Sequence, residues 1–395
     1  MLVLQGMRYC KLKRLTVRVL NFALLFPSLL FCFNAFSQYD TLKVASVGDI
    51  MFHEFQYQSA QIGNSGKYNF EPSFRHIKPI FKKYDLVIGN LETTLGKPPF
   101  SGYPRFCSPD TIAYFLKDAN FNLIVTANNH CLDKGTEGLI NTNKCLDRQN
   151  LPHTGTFVSQ EDRDKNYPYI WQKGNFTIAV LNCTYGTNGM PINPPVKANL
   201  IDTLQILKDI EKAKLSNPDA IFLAIHWGDE YQLYPNAFQK KIASFAFRNG
   251  VDVILGSHPH VLQPLEKQEI MYQGKKKTCY VIYSLGNFIS NMRGETPRWR
   301  YTEGGIIFTF DMLKNKETNA VSFQRFRYIP VWVWQENERM PGANFQLLPC
   351  AKYEHESKNL KLTEYDKRHI KQFLSDTRNH LNNRELDFIE QRLDD

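Results

Sequence analysis

The feature that most constrains this chain is a series of short apolar runs, each ending in small or polar residues, with helical patterns between them. The runs cover residues 42–47, 85–88, 123–126, 178–181, 221–225, 251–255 and 281–283. They are rich in β-branched residues and too short for buried helices, so they read as strands. Residues 72–83, 111–118, 136–148, 202–214 and 236–249 instead space their apolar side chains helically, as at Phe74, Ile77 and Phe81. Strand–helix alternation of this kind predicts an α/β layered domain with a largely buried sheet. Residues 167–183, with Gly174-Asn175 in the middle, read as a hairpin, so the sheet should be mixed.

Beyond about residue 290 the pattern changes. Residues 304–310 and 320–333 read as late, aromatic strands, and 363–393 as a polar helix-forming tail. The expected organisation is one catalytic-type domain over 38–350 and a C-terminal helical appendage over 351–395, within the size range of single α/β domains.

The first 37 residues read as an address. Arg8, Lys11, Lys13, Arg14 and Arg18 precede an apolar run ending near Phe33, and Ala35-Phe36-Ser37 offers small residues for cleavage before Gln38. This is the three-part form of a secretory signal peptide, placing the protein in the periplasm or cell envelope. The alternative is an N-terminal membrane anchor. Against it, the run is short beside the ~20 apolar residues of a spanning helix, and Pro27 interrupts it. Five of the nine net positive charges lie in this leader, leaving an ordinary balance elsewhere. The other basic clusters, Lys275-Lys276-Lys277 and the stretch from Arg293 to Arg300, read as solvated turns, so nucleic acid is not an expected partner. Six cysteines follow the leader: Cys107, Cys131, Cys145, Cys183, Cys279 and Cys350. Export permits disulfides, but their irregular spacing leaves buried thiols equally open.

The chemistry-bearing residues gather directly after the apolar runs, where open α/β sheets bind ligands. In order they are Asp49 with His53, Asn90 with Glu92, Asn128-Asn129-His130, His226 with Glu230, His258-Pro259-His260, and Asn287. Each has a bland reading alone. Gly48-Asp49 suits a turn, Asn90 and Glu92 suit caps, and the Asn128-Asn129 pair tolerates left-handed geometry. A lone His226 is more often a hydrogen-bonded interior residue. Repetition at successive strand ends is what favours a site. In an extended strand His258 and His260 would share a face, whereas a sharp turn could aim them at two adjacent ions. Carboxylate, amide oxygen and imidazole together suit Zn²⁺, Mn²⁺ or Fe, and the lack of thiolates argues against a structural zinc site. Two ions ~3.5–4 Å apart could activate a water and hold a phosphoryl centre, with a free histidine protonating the leaving group.

The ordered set Gly48-Asp49-Ile50-Met51, Asn90-Leu91-Glu92, Asn128-Asn129-His130 with Asp133 and Gly135, His226-Trp227-Gly228 with Glu230, His258-Pro259-His260, and Tyr283-Ser284-Leu285-Gly286-Asn287-Phe288 resembles the CapA family over roughly residues 41–290. These are bacterial capsule synthesis proteins linked to poly-γ-glutamate production. The family in turn looks like the calcineurin-like metallophosphoesterases. The resemblance implies a four-layer α/β/β/α sandwich with mixed sheets and a site for two divalent metal ions. It implies metal ligands at Asp49, Asn90, Glu92, Asn129, His226, His258 and His260, and a leaving-group contact at His130. His53, Asn128, Glu230 and Asn287 would support the ligands. It further implies a cell-surface polymer or phosphoester substrate, and a membrane capsule-synthesis complex as partner. Two positions depart from the superfamily pattern. His53 follows Asp49 by four residues instead of two, and Asn90 replaces the bridging Asp while Glu92 is displaced by two. These departures leave open a non-catalytic scaffold or export role on the same fold.

Overall fold

The computed structural model describes residues 38–294, 300–336, 345–354 and 360–391. The leader expected over residues 1–37, with its expected cleavage site, lies outside these residues, as does most of the basic stretch after Arg293. Among the described residues no helix is long and apolar enough to cross a membrane.

Two mixed sheets form the centre. The first has nine strands: β1 (Tyr39–Ile50), β2 (Leu86–Leu91), β5 (Leu123–Val125), β6 (His153–Thr154), β15 (Asn287–Ile289), β16 (Gly304–Asn315), β17 (Val321–Gln335), β18 (Phe345–Pro349) and β19 (Ile389–Glu390). Its main path runs β18-β17-β16-β1-β2-β5-β6, with β15 beside β1 and β19 beside β17. The second sheet runs β13 (Leu262–Tyr272), β14 (Lys275–Leu285), β12 (Val253–Ser257), β11 (Ala220–His226), β9 (Phe176–Thr184), β8 (Tyr169–Lys173). Two small ribbons pair β3 (Thr94–Gly96) with β4 (Cys107–Pro109), and β7 (Thr156–Phe157) with β10 (Lys197–Ala198). The expected hairpin is β8–β9, turning at Gly174-Asn175. Strand β13 is one that periodicity missed. Pro264 interrupts its pattern, and the strand lies at the sheet edge, where proline costs no ladder bond.

Alternation of side chains across each strand sorts the core into layers. Leu42, Val44, Ile88 and Phe308 of the first sheet meet Ile178, Phe222, Val253 and Ile282 of the second. The opposite face of the first sheet, including Ala45, Val47 and Val87, packs against α1 (Glu54–Ser59), α2 (Glu71–Phe74), α3 (Lys78–Phe81), α4 (Ile112–Asp118) and α5 (Gly135–Arg148). After α6 (Gln160–Asn166), α7 (Thr203–Lys214) and α8 (Ala237–Asn249) cover the outer face of the second sheet, burying Ile206, Ile210 and Phe247 against Leu181 and Leu223. Full burial of one such side chain contributes ~1.5–3 kcal/mol. The four-layer α/β/β/α sandwich with mixed sheets is therefore the architecture observed.

The chain end is packed on the same body. Along β17, Val331 and Val333 face the outer helices, while Trp332 and Trp334 face the other way. There they meet α9 (Cys350–Tyr353) and α10 (Glu364–Leu381), through Tyr353, Ile370, Phe373 and Leu374. Helix α10 begins on a capping box in which Thr363 and Asp366 satisfy each other's backbone N–H. All six cysteines of the described chain are buried and free, so thiols and not bridges are found.

Candidate metal centre

The site lies where both sheets end. Strand β1 runs parallel to β2 and β15, so Asp49 sits level with Asn90 on one side and Asn287 on the other. Across the layer, β11 ends on His226 level with Ser257 of β12, immediately before His258. Gly48 is part of the strand and not a turn. A Cβ there would lie 1.9 Å from the Gly286 carbonyl oxygen, and the close approach lets Asp49 N–H donate to that same oxygen at 3.0 Å. His258 and His260 adopt φ of 100° and 59°. This is the sharp-turn alternative. Left-handed backbone at non-glycine residues is costly and tends to persist where function fixes it.

Hydrogen bonds tie these ends into one network. Asn90 Nδ2 donates to Asp49 Oδ1 at 2.8 Å and to His226 Nδ1 at 3.2 Å. His226 Nε2 in turn faces Asn129 Oδ1 at 2.8 Å. The His260 Nδ1 lies 3.1 Å from Asp49 Oδ2 and 3.0 Å from Asn287 Oδ1, and the His258 backbone N–H donates to Asp49 Oδ2 at 3.3 Å. Asn128 donates to Asn90 Oδ1 at 3.2 Å and to the Leu91 carbonyl at 2.7 Å, so it braces β2 from behind.

Glu92 stands out. Asn90 is the penultimate residue of β2 and Glu92 follows directly after its end, and both reach the site. The Glu92 Oε1 lies 3.4 Å from His226 Nε2 and 3.9 Å from His260 Nε2. Its carboxyl is wholly buried, yet neither oxygen has a hydrogen-bond partner, and the same is true of His258 Nδ1. Orphaned buried polar atoms of this kind cost ~1–3 kcal/mol each, more for charged groups. Burial first, then the neighbouring Asp49 charge, pushes the Glu92 carboxyl well above the usual range. Burial also works to raise Asp49, but His260, Asn90 and His258 outweigh it and hold that carboxyl low. Burial and adjacent imidazoles depress His226 well below its ordinary value, and burial takes His258 down to about 3. Burial opposes charge on His260 too, yet contact with Asp49 raises it. A carboxyl that burial keeps from ionising, set beside the neutral rings of His226 and His258, is an arrangement that a cation would complete by favouring the ionised form.

Donor atoms of Glu92, His226 and His258 lie within 4.8 Å of one another, as do those of Asp49, Glu92 and His260, and of Glu230, His258 and His260. The donor set thus fits one or two divalent ions of the Mn²⁺, Zn²⁺ or Fe type. His130 stands beside this set. Its Nδ1 lies 2.7 Å from Asp133 Oδ2, which also accepts the Phe106 N–H at 2.6 Å, and the Phe106 ring meets the imidazole edge-on. His53 is set apart: burial holds it near 4, and its Nδ1 accepts the Asn291 N–H at 3.2 Å.

Three contributors escape sequence reasoning. Asp133 is visible only as part of a motif, with no sign that it would face His130. Tyr185 follows β9, a strand whose polar end drew no attention, and its ring packs 4.5 Å from His258. Asn188, in the same loop, accepts from Asn129 Nδ2 at 3.4 Å.

The family described as bacterial capsule synthesis protein PGA_cap matches residues 43–292. The PGA biosynthesis protein CapA of Bacillus subtilis (strain 168) is 29% identical over 287 residues, covering 70% of this chain and 69% of that protein. The capsule biosynthesis protein CapA of Bacillus anthracis is 30% identical over 295 residues, covering 70% of this chain and 65% of its own length. Among solved structures, the calcineurin-like phosphoesterase YfkN from Bacillus subtilis superposes with a TM-score of 0.42 at 14% identity, over 86% of this chain and 98% of that one.

Proposed function

The chain belongs to the bacterial capsule synthesis protein family PGA_cap, and from that premise we propose that it is an exported, metal-dependent hydrolase of phosphoester type serving capsule or poly-γ-glutamate synthesis. The observation carrying the reading is Glu92, a fully buried carboxyl with no hydrogen-bond partner, set among His226, His260 and Asp49. Asp49, Asn90, Glu92, Asn129, His226, His258 and His260 would hold one or two divalent ions. When bound, such ions supply an activated water and neutralise charge developing on a phosphoryl oxygen.

The remaining steps belong to the chain. Asp133 fixes the His130 ring through Nδ1, leaving Nε2 to carry the proton that a departing oxygen needs. Asn287 fixes the His260 ring in the same way. Tyr185, packed over His258, shields one flank of the site from water. The substrate would be a phosphoester or an ester or amide bond of a cell-surface polymer, met in the periplasm or envelope. A membrane-bound capsule-synthesis complex is the proposed partner.

A second reading is a non-catalytic scaffold or export component. It is favoured by Asn90, an amide standing between Asp49 and His226 where the superfamily has a bridging carboxylate. The test is to load purified protein with Mn²⁺, Zn²⁺ or Fe²⁺ and supply a generic phosphodiester and poly-γ-glutamate. Cleavage that disappears in Asp49→Ala and His258→Ala supports hydrolysis. A folded, metal-loaded protein inert on all of these supports the scaffold.

A further inference from the structure

Helix α10 lies beyond the residues matched by the family, yet it grips both segments that support His260. On one side Asp376 takes Arg300 in two bonds, 2.7 Å to Nε and 2.6 Å to a terminal nitrogen. About two turns earlier, His369 Nδ1 meets Glu303 Oε2 at 3.0 Å, and the same oxygen accepts the Trp332 indole N–H at 2.9 Å. These two anchors bracket Thr302. The fully buried Thr302 presents its carbonyl to Asn287 Nδ2 at 2.9 Å, and the other end of that amide faces His260.

On the other side, α10 meets the loop that follows β11. The His380 ring packs edge-on against Tyr234 at 5.3 Å, and Leu233, Phe373, Thr377 and His380 line a small apolar cavity between helix and loop. That loop is tied to the histidine pair. Tyr231 N–H donates to the Pro259 carbonyl at 2.8 Å, and the Tyr231 ring lies 6.2 Å from the His260 ring.

We propose that α10 is a positioning element for the candidate metal centre: through Asp376–Arg300 and His369–Glu303 it holds residues 300–303 so that Thr302 fixes Asn287, and Asn287 fixes the His260 ring. Asp376 and His369 are positioning residues that touch no ligand. An isolated amide on a short strand has rotational freedom of its own. Clamping its acceptor from outside removes that freedom before an ion arrives. The inference rests on the metal-centre reading for its consequence, though not for the mechanical link itself.

The test uses the full chain carrying Asp376→Ala with His369→Ala, which removes both anchors. A core variant in α7, Ile210→Val, serves as control because it loosens packing far from the clamp. In metal-free protein, backbone hydrogen exchange of residues 287–292 and 228–235 should quicken in the double variant and not in the control. In titrations with manganese, the double variant should bind ~10-fold or more weakly, the usual effect of losing an outer support, while Ile210→Val binds as wild type. A double variant whose exchange and manganese affinity both match wild type overturns the clamp. So does an Ile210→Val variant that loses manganese affinity equally. Wild-type protein that takes up no manganese overturns the metal reading instead, and the exchange measurement still decides the clamp.

Discussion

The Glu92 Oε1 lies 3.4 Å from His226 Nε2, and neither Glu92 oxygen accepts a hydrogen bond. A wholly buried carboxyl whose oxygens find no partner beside a histidine held neutral costs stability that a bound cation would recover. Chelation should therefore lower the melting temperature of the purified protein, and Mn²⁺ or Zn²⁺ should restore it. Metal at a hundredfold excess over its dissociation constant stabilises by ~2.7 kcal/mol. Glu92→Gln should abolish most of that gain while leaving the metal-free protein at least as stable. Calorimetry with and without metal measures both.

His130 and His258 should fail differently. Losing the general acid costs ~100- to 10,000-fold in turnover, so His130→Ala should keep its metal and lose rate. Asp133→Asn should follow it in the same direction, because the ring loses its partner at 2.7 Å. His258→Ala should lose metal as well. Metal content set beside kcat for the three variants separates these outcomes.

Gly48→Ala should destabilise the whole domain, since its Cβ would sit 1.9 Å from the Gly286 carbonyl oxygen. Backbone displaced by overpacking costs ~1–3 kcal/mol or more, and here it would also separate β1 from β15. Denaturant titration should show a lower midpoint, with loss of metal uptake in the fraction that folds.

Acid should loosen the chain end through His76. Its Nε2 faces Gln346 Oε1 at 2.9 Å and its Nδ1 accepts from the Tyr353 hydroxyl at 3.0 Å, an arrangement suited to the neutral ring. Burial is the main cause holding its folded value below 6.5. The unfolded chain then binds more protons between the folded value and ~6.5, so stability rises with pH across that window. The contribution is complete above it and is lost as pH falls through it. His76→Gln should flatten that part of the stability–pH curve, measured by denaturant midpoints across the acid range.

Much of the site was legible because a strand fixes which residues face together. Asp49, Asn90, Glu92, His226, His258 and His260 each follow an apolar run, and parallel strands ending at one edge bring such residues into one place. Asn90, within β2, and Glu92, just past its end, both come within reach of His226. What periodicity could not give were contacts made by loops and by the chain end. Asp133 reaches His130 through a turn, Tyr185 returns over His258 from the loop after β9, and Thr302 meets Asn287 only because β16 closes back on β15. The layers followed from alternation. The placement of α10 did not, because a polar amphipathic helix carries no sign of which sheet face will receive it.

The central claim is that the unpartnered Glu92 carboxyl belongs to a divalent metal centre, and elemental analysis of the purified protein tests it most directly. About one to two ions of manganese, zinc or iron per chain are expected, falling sharply in Glu92→Gln and His258→Ala and holding in His130→Ala. A folded wild-type protein that contains no divalent metal, and takes none up when it is offered, would contradict the account.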